Sequence, residues 1–263
     1  GAARAVNVDN WQPFMPNGFT GVLTGAAIVF FTYIGFDSVS TAAEECRNPQ
    51  RDMPVGIVAS LLVCTLLYVS VALVLTGAAN WKTLGTAAPV ADVLRMLGYD
   101  SIRRLVVLGA VVGMVSSLLV FQYGQARVWF AMSRDGLLPR VFSKVHAVHR
   151  TPHVSTWVAG LVVGVPAGIW DVGTFADLAN IGTLFAFIVV SAGVIVLRKT
   201  QPERRRGFRM PGVPWLPGFS VVCCLVLMLS LPLETWLRFL VWLLIGLAIY
   251  FLFSRKHSEL RRE

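Results

Sequence analysis

Charge is what this 263-residue chain has least of: Asp, Glu, Lys and Arg make up 14% of it, against 56% hydrophobic residues and a mean hydropathy of +0.67. Too few polar side chains remain to clothe a water-facing surface, which excludes an ordinary soluble globular domain. Acids are scarcer than bases, 14 to 23, giving a formal net charge of +9. The basic runs, of which RKTQPERRRGFR is the densest, lack interleaved aromatics and a folded module, so no nucleic acid is expected as a partner. Only four cysteines occur, Cys46, Cys64, Cys223 and Cys224, with neither ligand spacing nor a disulfide framework; they read as small apolar residues. The motifs GxSxG, HExxH and GxxxxGK are missing too, so neither enzymatic chemistry nor a cofactor is expected. The chain has no initiating Met and no signal peptide, and it is expected to be a fragment with further membrane helices upstream.

What the chain does have is long apolar stretches. Seven of them, Gly21–Ala43, Pro54–Ala79, Ile102–Ala126, Val154–Trp170, Phe175–Leu197, Trp215–Leu231 and Trp236–Phe253, approach the length needed to cross a ~30 Å hydrocarbon core at ~1.5 Å per residue, the short ones being completed by flanking residues. The predicted fold class is therefore all-α, a polytopic membrane protein with seven transmembrane helices. All Lys and Arg except Arg4, Lys82, Arg95, Arg103, Arg104 and Arg238 fall in the alternate connections 44–53, 127–153 and 198–213 and the tail 254–263. Basic loops stay on the cytoplasmic side, so the N-terminus of this chain is expected outside a cell membrane and the C-terminus inside. The positive charge is then a topology signal beside an anionic leaflet.

The first apolar stretch contains an anomaly. Residues 30 to 54 read FFTYIGFDSVSTAAEECRNPQRDMP, placing Gly35, then Asp37, near the middle of a membrane span. Backbone can unwind at that depth only where it is buried in protein or lines a cavity. Gly35 permits unwinding, and Asp37 is suited to cap a restarted helix by accepting from an N–H two or three residues later. Two half-helices are predicted, the first ending near Ile34 with unpaired carbonyls at the negative end of its dipole, where a cation such as an amino acid's ammonium group can be held. The plainer reading is that Gly35 only lets a neighbouring helix approach and Asp37 is a structural ion-pair partner. A charge near mid-bilayer costs ~2.5–3.5 kcal/mol on insertion scales, so the pair of residues favours a function or a specific partner. Asn48-Pro49 then starts a turn, and Pro54 is expected in the first turn of the next helix.

These residues carry a resemblance. FFTYIGFD, the following EE and NPQRDMPVGI resemble the sixth helix and succeeding loop of the amino acid-polyamine-organocation (APC) permeases, cationic amino acid transporter branch. YGQARVWFAMSRDGLLPRVFSKVH, RTPHVSTW, NIGTLFAFIVVSAGVIVLRK and FRMPGVPWLPG follow in the same order, so the likeness runs from about Gly18 to Ser258. It implies a twelve-helix secondary transporter of LeuT-like fold, built from two inverted five-helix repeats, of which this chain keeps helices six to twelve. Residues 1–20 become an extracytoplasmic lead-in, 21–197 the second repeat, and 198–263 two further helices and a tail. In such repeats the first helix is broken at the substrate site.

The resemblance implies that main-chain carbonyls of Phe31, Thr32 and Ile34 bind the substrate's α-ammonium, that Gly35 permits the break, and that Tyr33 and Phe36 shape the side-chain pocket or its gate. The site for the α-carboxylate, and the fifth-helix group that takes the place of sodium in proton-coupled relatives, lie in absent helices. An amino acid substrate and a proton, rather than sodium, are the implied partners, besides the lipid bilayer. Ser116 and Ser117 are candidate ion ligands in the helix resembling the eighth, or simply back-bonded hydroxyls. Asp177, Asn180 and Thr183 recur every three residues, as a vestibule lining or as an interfacial polar helix start. Glu44 and Glu45 are expected to pair with Arg47, Arg51 or Arg127. His146, His149 and His153 read as a solvated loop before a metal site. A seven-helix receptor or a channel is the alternative function.

Overall fold

The computed structural model describes residues 6–170, 172–204 and 206–258, excepting the side chains of Ala42, Glu44 and Glu45. Among the described residues the fold is all-helical, without a strand. Helix α1 (Gly18–Tyr33) leads into a 3-10 segment, Phe36–Glu45; then come α2 (Pro49–Ala78), α3 (Pro89–Met96), α4 (Asp100–Arg134), α5 (His153–Ala167), α6 (Val172–Thr200), α7 (Trp215–Leu229) and α8 (Leu233–Ile249), the last extended by a π turn, Tyr250–Ser254.

Among the described residues, five helical stretches are apolar and long enough to cross a bilayer: Gly18–Thr41, Pro49–Ala78, Asp100–Arg134, Val172–Thr200 and Leu233–His257. Helices α5 and α7 are as apolar but have only 15 residues each, about 22 Å of rise. Apart from the break after α1, two predicted starts and stops moved by five residues or more. Helix α2 begins at Pro49, so Pro54 sits inside it instead of in its first turn. Helix α4 runs past the predicted end at Ala126 to Arg134, because no helix breaker intervenes before Gly136, whose φ of +78° ends it.

The chain divides into two compact units. One comprises the residues up to Val22 with Gly56–Val120. In it the lead-in is clipped to the end of α2: Asn7 N–H and Asn10 Nδ2 donate to the Gly77 carbonyl at 2.9 and 2.7 Å, and Trp11 Nε1 donates to Thr76 Oγ1 at 3.1 Å. Gly77 is required there, since a Cβ would stand 2.6 Å from Val6 Cγ1. The apolar spans of α2 and α4 bury none of their most hydrophobic windows within the chain, a surface suited to lipid or to further helices.

The other unit comprises Leu23–Val55 and the chain from Phe121 onward. Its core is Ala27, Ile181, Leu184, Cys224, Met228, Leu231 and Phe239, where α6 packs on α7 and α8 and also receives α1. Asn180, 1% exposed, donates from α6 to the Ala27 carbonyl of α1 at 3.2 Å, so the upper part of α1 is held by a buried polar bond as well as by packing.

Candidate functional site: the break after helix α1

The α-helical ladder of α1 ends at Tyr33, and Gly35 adopts φ +125° and ψ −19°. An L side chain resists this conformation, so glycine is the residue that can leave the helix here. Three hydrogen bonds define the turn. Ile34 N–H donates to the Phe31 carbonyl at 3.2 Å, Gly35 N–H donates to Asp37 Oδ1 at 3.2 Å, and Ser38 N–H donates to the Gly35 carbonyl at 3.1 Å, opening the 3-10 segment. Among the described residues the Ile34 carbonyl has no donor.

These bonds amend the sequence expectation in three ways. Asp37 does not cap the following turn; its carboxylate reaches back to Gly35 N–H, because a 3-10 start with Gly35 as its cap leaves that N–H without a helical partner. The second half is a tighter 3-10 coil instead of an α-helix. Of the carbonyls implied by the family resemblance, that of Phe31 already accepts one hydrogen bond, while that of Ile34 points out of the ladder unclaimed. The carboxyl end of α1 thus presents the negative end of a helix dipole with an open oxygen at its tip.

Aromatic rings surround the turn. Phe121 from α4 lies 3.3 Å from where a Cβ on Gly35 would be. Phe187 from α6 meets Phe36 at a centroid distance of 5.6 Å and Phe30 at 6.1 Å. Tyr33, Ile34, Gly35, Phe36 and Asp37 are half-buried, whereas Phe31 and Thr32 are exposed, the Thr32 hydroxyl donating to the Val29 carbonyl at 2.7 Å. The Ser40 and Thr41 hydroxyls bond back within the 3-10 segment, to the carbonyls of Asp37 and Ser38. Beside its far end a cavity of about 580 Å³ is lined by Ser40, Thr41, Arg127, Arg134, Arg150 and Pro152.

The other candidates lie elsewhere. Asn180 is sealed in the core on the Ala27 carbonyl instead of lining a vestibule, because its amide has a buried acceptor to reach; Asp177 and Thr183 are half-buried on the same helix. Ser116 and Ser117 are exposed on α4, in the first unit, and the Ser116 hydroxyl donates to the Val112 carbonyl at 2.9 Å, the back-bonded arrangement. The expected pairing of Glu44 and Glu45 involves side chains outside those described. His146 stacks on His149 with ring centroids 4.8 Å apart and meets His153 edge-on at 5.3 Å, and His146 Nδ1 accepts from the N–H groups of Val148 and His149. Among the described residues no group of three His, Cys, Asp or Glu is arranged to hold a metal ion. Phe121 and Phe187 were not singled out from sequence, where they are two of the chain's 16 phenylalanines, in apolar helices with no pattern to mark them.

A helix interrupted in its apolar middle by glycine, with a free carbonyl at the break, is an arrangement of membrane transporters. The family model described as "Amino acid permease" matches residues 2–253. The chain belongs to the amino acid permease family. This permease is 52% identical over 262 residues to the branched-chain amino acid permease BcaP of Bacillus subtilis, covering 99% of this chain and 56% of that protein. It is 50% identical over 257 residues to the methylthioribose transporter of Bacillus subtilis, covering 98% and 56%. Against cationic amino acid transporter 9, chloroplastic, of Arabidopsis thaliana it is 35% identical, covering 98% of this chain and 57% of the other. The chain therefore spans little more than half the length of these relatives.

Proposed function

We propose that the intact protein is a secondary active transporter that moves an amino acid by alternating access, coupled to protons, with the break after α1 holding the substrate's α-ammonium. The observation that carries this reading is the left-handed Gly35 leaving the Ile34 carbonyl without a donor at the negative end of α1. An ammonium ion brings the donors that this oxygen lacks, and a charge-assisted bond there is the stronger for being partly out of water. Ile34, Phe31 and Thr32 would supply the carbonyl end, Gly35 the break, and Tyr33 and Phe36 the wall. Asp37 would hold the turn. In this reading seven helices cross the membrane, α5 and α7 being completed by flanking residues, with the start of the chain outside and its end in the cytoplasm. Residues 21–197 would form the second inverted repeat of a LeuT-like fold, and 198–263 the two additional helices and tail.

For the side chain of the substrate, Phe36, Phe121 and Phe187 favour an apolar group. Asp37, the acid of the turn, already has one oxygen on Gly35 N–H, so its carboxylate is turned to holding the break. The relative named for branched-chain substrates accords with this more closely than the one named for cationic amino acids. Counterflow with the intact protein in liposomes tests the reading: leucine, isoleucine or valine should exchange and arginine or lysine should not, and exchange should respond to a pH gradient but not to sodium. Exchange of arginine in preference to leucine would overturn the assigned side-chain class, and no exchange of any amino acid would overturn the function.

A further inference from the structure

The connection between α6 and α7 is a folded knot and not a slack basic tether. The Arg206 guanidinium donates to the carbonyls of Leu197, Gln201, Pro202 and Arg204 at 3.0, 2.7, 3.1 and 3.0 Å, capping the carboxyl end of α6. Arg198 donates to the Met210 carbonyl at 3.1 Å and closes the loop on itself. Both arginines are half-buried as residues, and the Arg206 bonds lie at the exposed surface of the loop. A topology signal needs only the presence of positive charge; it does not need two arginines to fix the loop's shape.

That shape decides what remains outside. Lys199, Arg204 and Arg209 are exposed, and within residues 198–215 the only acid is Glu203. Beside them stand two exposed aromatics, Phe208 at 55% and Trp215 at 84%. The loop joins two apolar helices, so it sits where hydrocarbon meets water. Neither bulk water nor hydrocarbon suits that pairing of cations with bare rings, whereas the headgroup layer suits both at once.

We propose that the described residues of this loop, 198–204 and 206–215, form a binding site for an anionic phospholipid headgroup, with Lys199, Arg204 and Arg209 taking the phosphate and Phe208 and Trp215 seated among the upper acyl carbons. Charge complementarity selects an anionic lipid over a zwitterionic one; the bonds of Arg206 and Arg198 shape the loop that carries Lys199, Arg204 and Arg209, and Arg204 also donates to Gln201 Oε1 at 3.2 Å. The site is separate from the break after α1 and does not depend on the substrate assignment.

Trp215 is a built-in reporter. The intact protein is placed in detergent micelles and titrated with brominated phosphatidylglycerol or brominated phosphatidylcholine, and quenching of Trp215 is isolated as the difference between that protein and its Trp215→Phe variant. The anionic lipid should quench at the lower mole fraction. Each exposed cation should contribute about fivefold in apparent affinity, so Lys199→Gln, Arg204→Gln and Arg209→Gln together should remove roughly a hundredfold and leave the two lipids equal. On the unsubstituted chain, raising the salt should reduce the same preference, which tests the assignment even if the triple variant misfolds. Equal quenching by the two lipids overturns the proposal, whether the loop then meets nothing or an acidic stretch of protein. So does a preference that persists in the folded triple variant or is indifferent to salt.

Discussion

Helices α1 and α4 are both apolar and both carry glycine in their interior, yet only one of them breaks. Helix α4 holds Gly109, Gly113 and Gly124 and continues for 35 residues; α1 stops two residues before Gly35. Nothing lies within 4 Å of a Cβ at Gly109 or Gly113, and their N–H groups have helical acceptors as good as any alternative. At Gly35 an alternative exists: the Asp37 carboxylate takes the N–H, and the Phe121 ring occupies the space a side chain would need. Glycine lowers the cost of leaving a helix by about 1 kcal/mol at most. A competing acceptor two residues on turns that permission into a break.

The sharpest way to attack this contrast is to move the glycine's freedom. Gly35→Leu in the intact permease forces a side chain into a left-handed φ and toward Phe121, and uptake should fall to below roughly a hundredth while membrane insertion persists; Gly109→Leu, in the unbroken helix, should leave uptake within about twofold. Radiolabelled uptake normalised to protein in the membrane measures both. Next in size is Asn180→Asp, which removes the donor to the Ala27 carbonyl and puts a carboxylate in its place at 1% exposure. It should cost about 3 kcal/mol of stability in thermal unfolding, against less than about 1 kcal/mol for Asn180→Leu, which also removes a buried amide oxygen that has no partner. Asp37→Leu takes away the acceptor at the turn, worth about 1.5 kcal/mol, and should reduce uptake roughly tenfold; Asp37→Asn keeps an acceptor and most of the activity. Smallest is Ser116→Ala. Its hydroxyl is already committed to the Val112 carbonyl, so uptake and its ion dependence should stay within about twofold, and a sodium dependence lost in this variant would reinstate Ser116 as an ion ligand.

The break was legible in the sequence because it is local: Gly35 and Asp37 are two residues apart and stand out against an apolar background. The direction of the Asp37 bond was not legible, since an aspartate at that spacing can accept from either side and only the 3-10 geometry decides. Helix ends were read to within about three residues where the apolar run itself stops, and missed where the helix continues through polar sequence, as in the eight residues by which α4 outruns Ala126 and the five by which α2 begins before Pro54. The position of Asn180 depends on Ala27, 153 residues away. Periodicity places a polar residue on a face; it does not say whether that face meets water or another helix's carbonyl. Phe121 and Phe187 were hidden for the same reason, because contact across the fold leaves no trace in spacing along the chain.

The central claim is best tested by an experimental structure of the intact permease with its amino acid bound. The substrate's ammonium nitrogen should lie within about 3 Å of the Ile34 carbonyl oxygen, with Gly35 still at positive φ. A helix running unbroken through residues 31–39, with the Ile34 oxygen accepting from Ser38 N–H and the substrate held elsewhere, would contradict it.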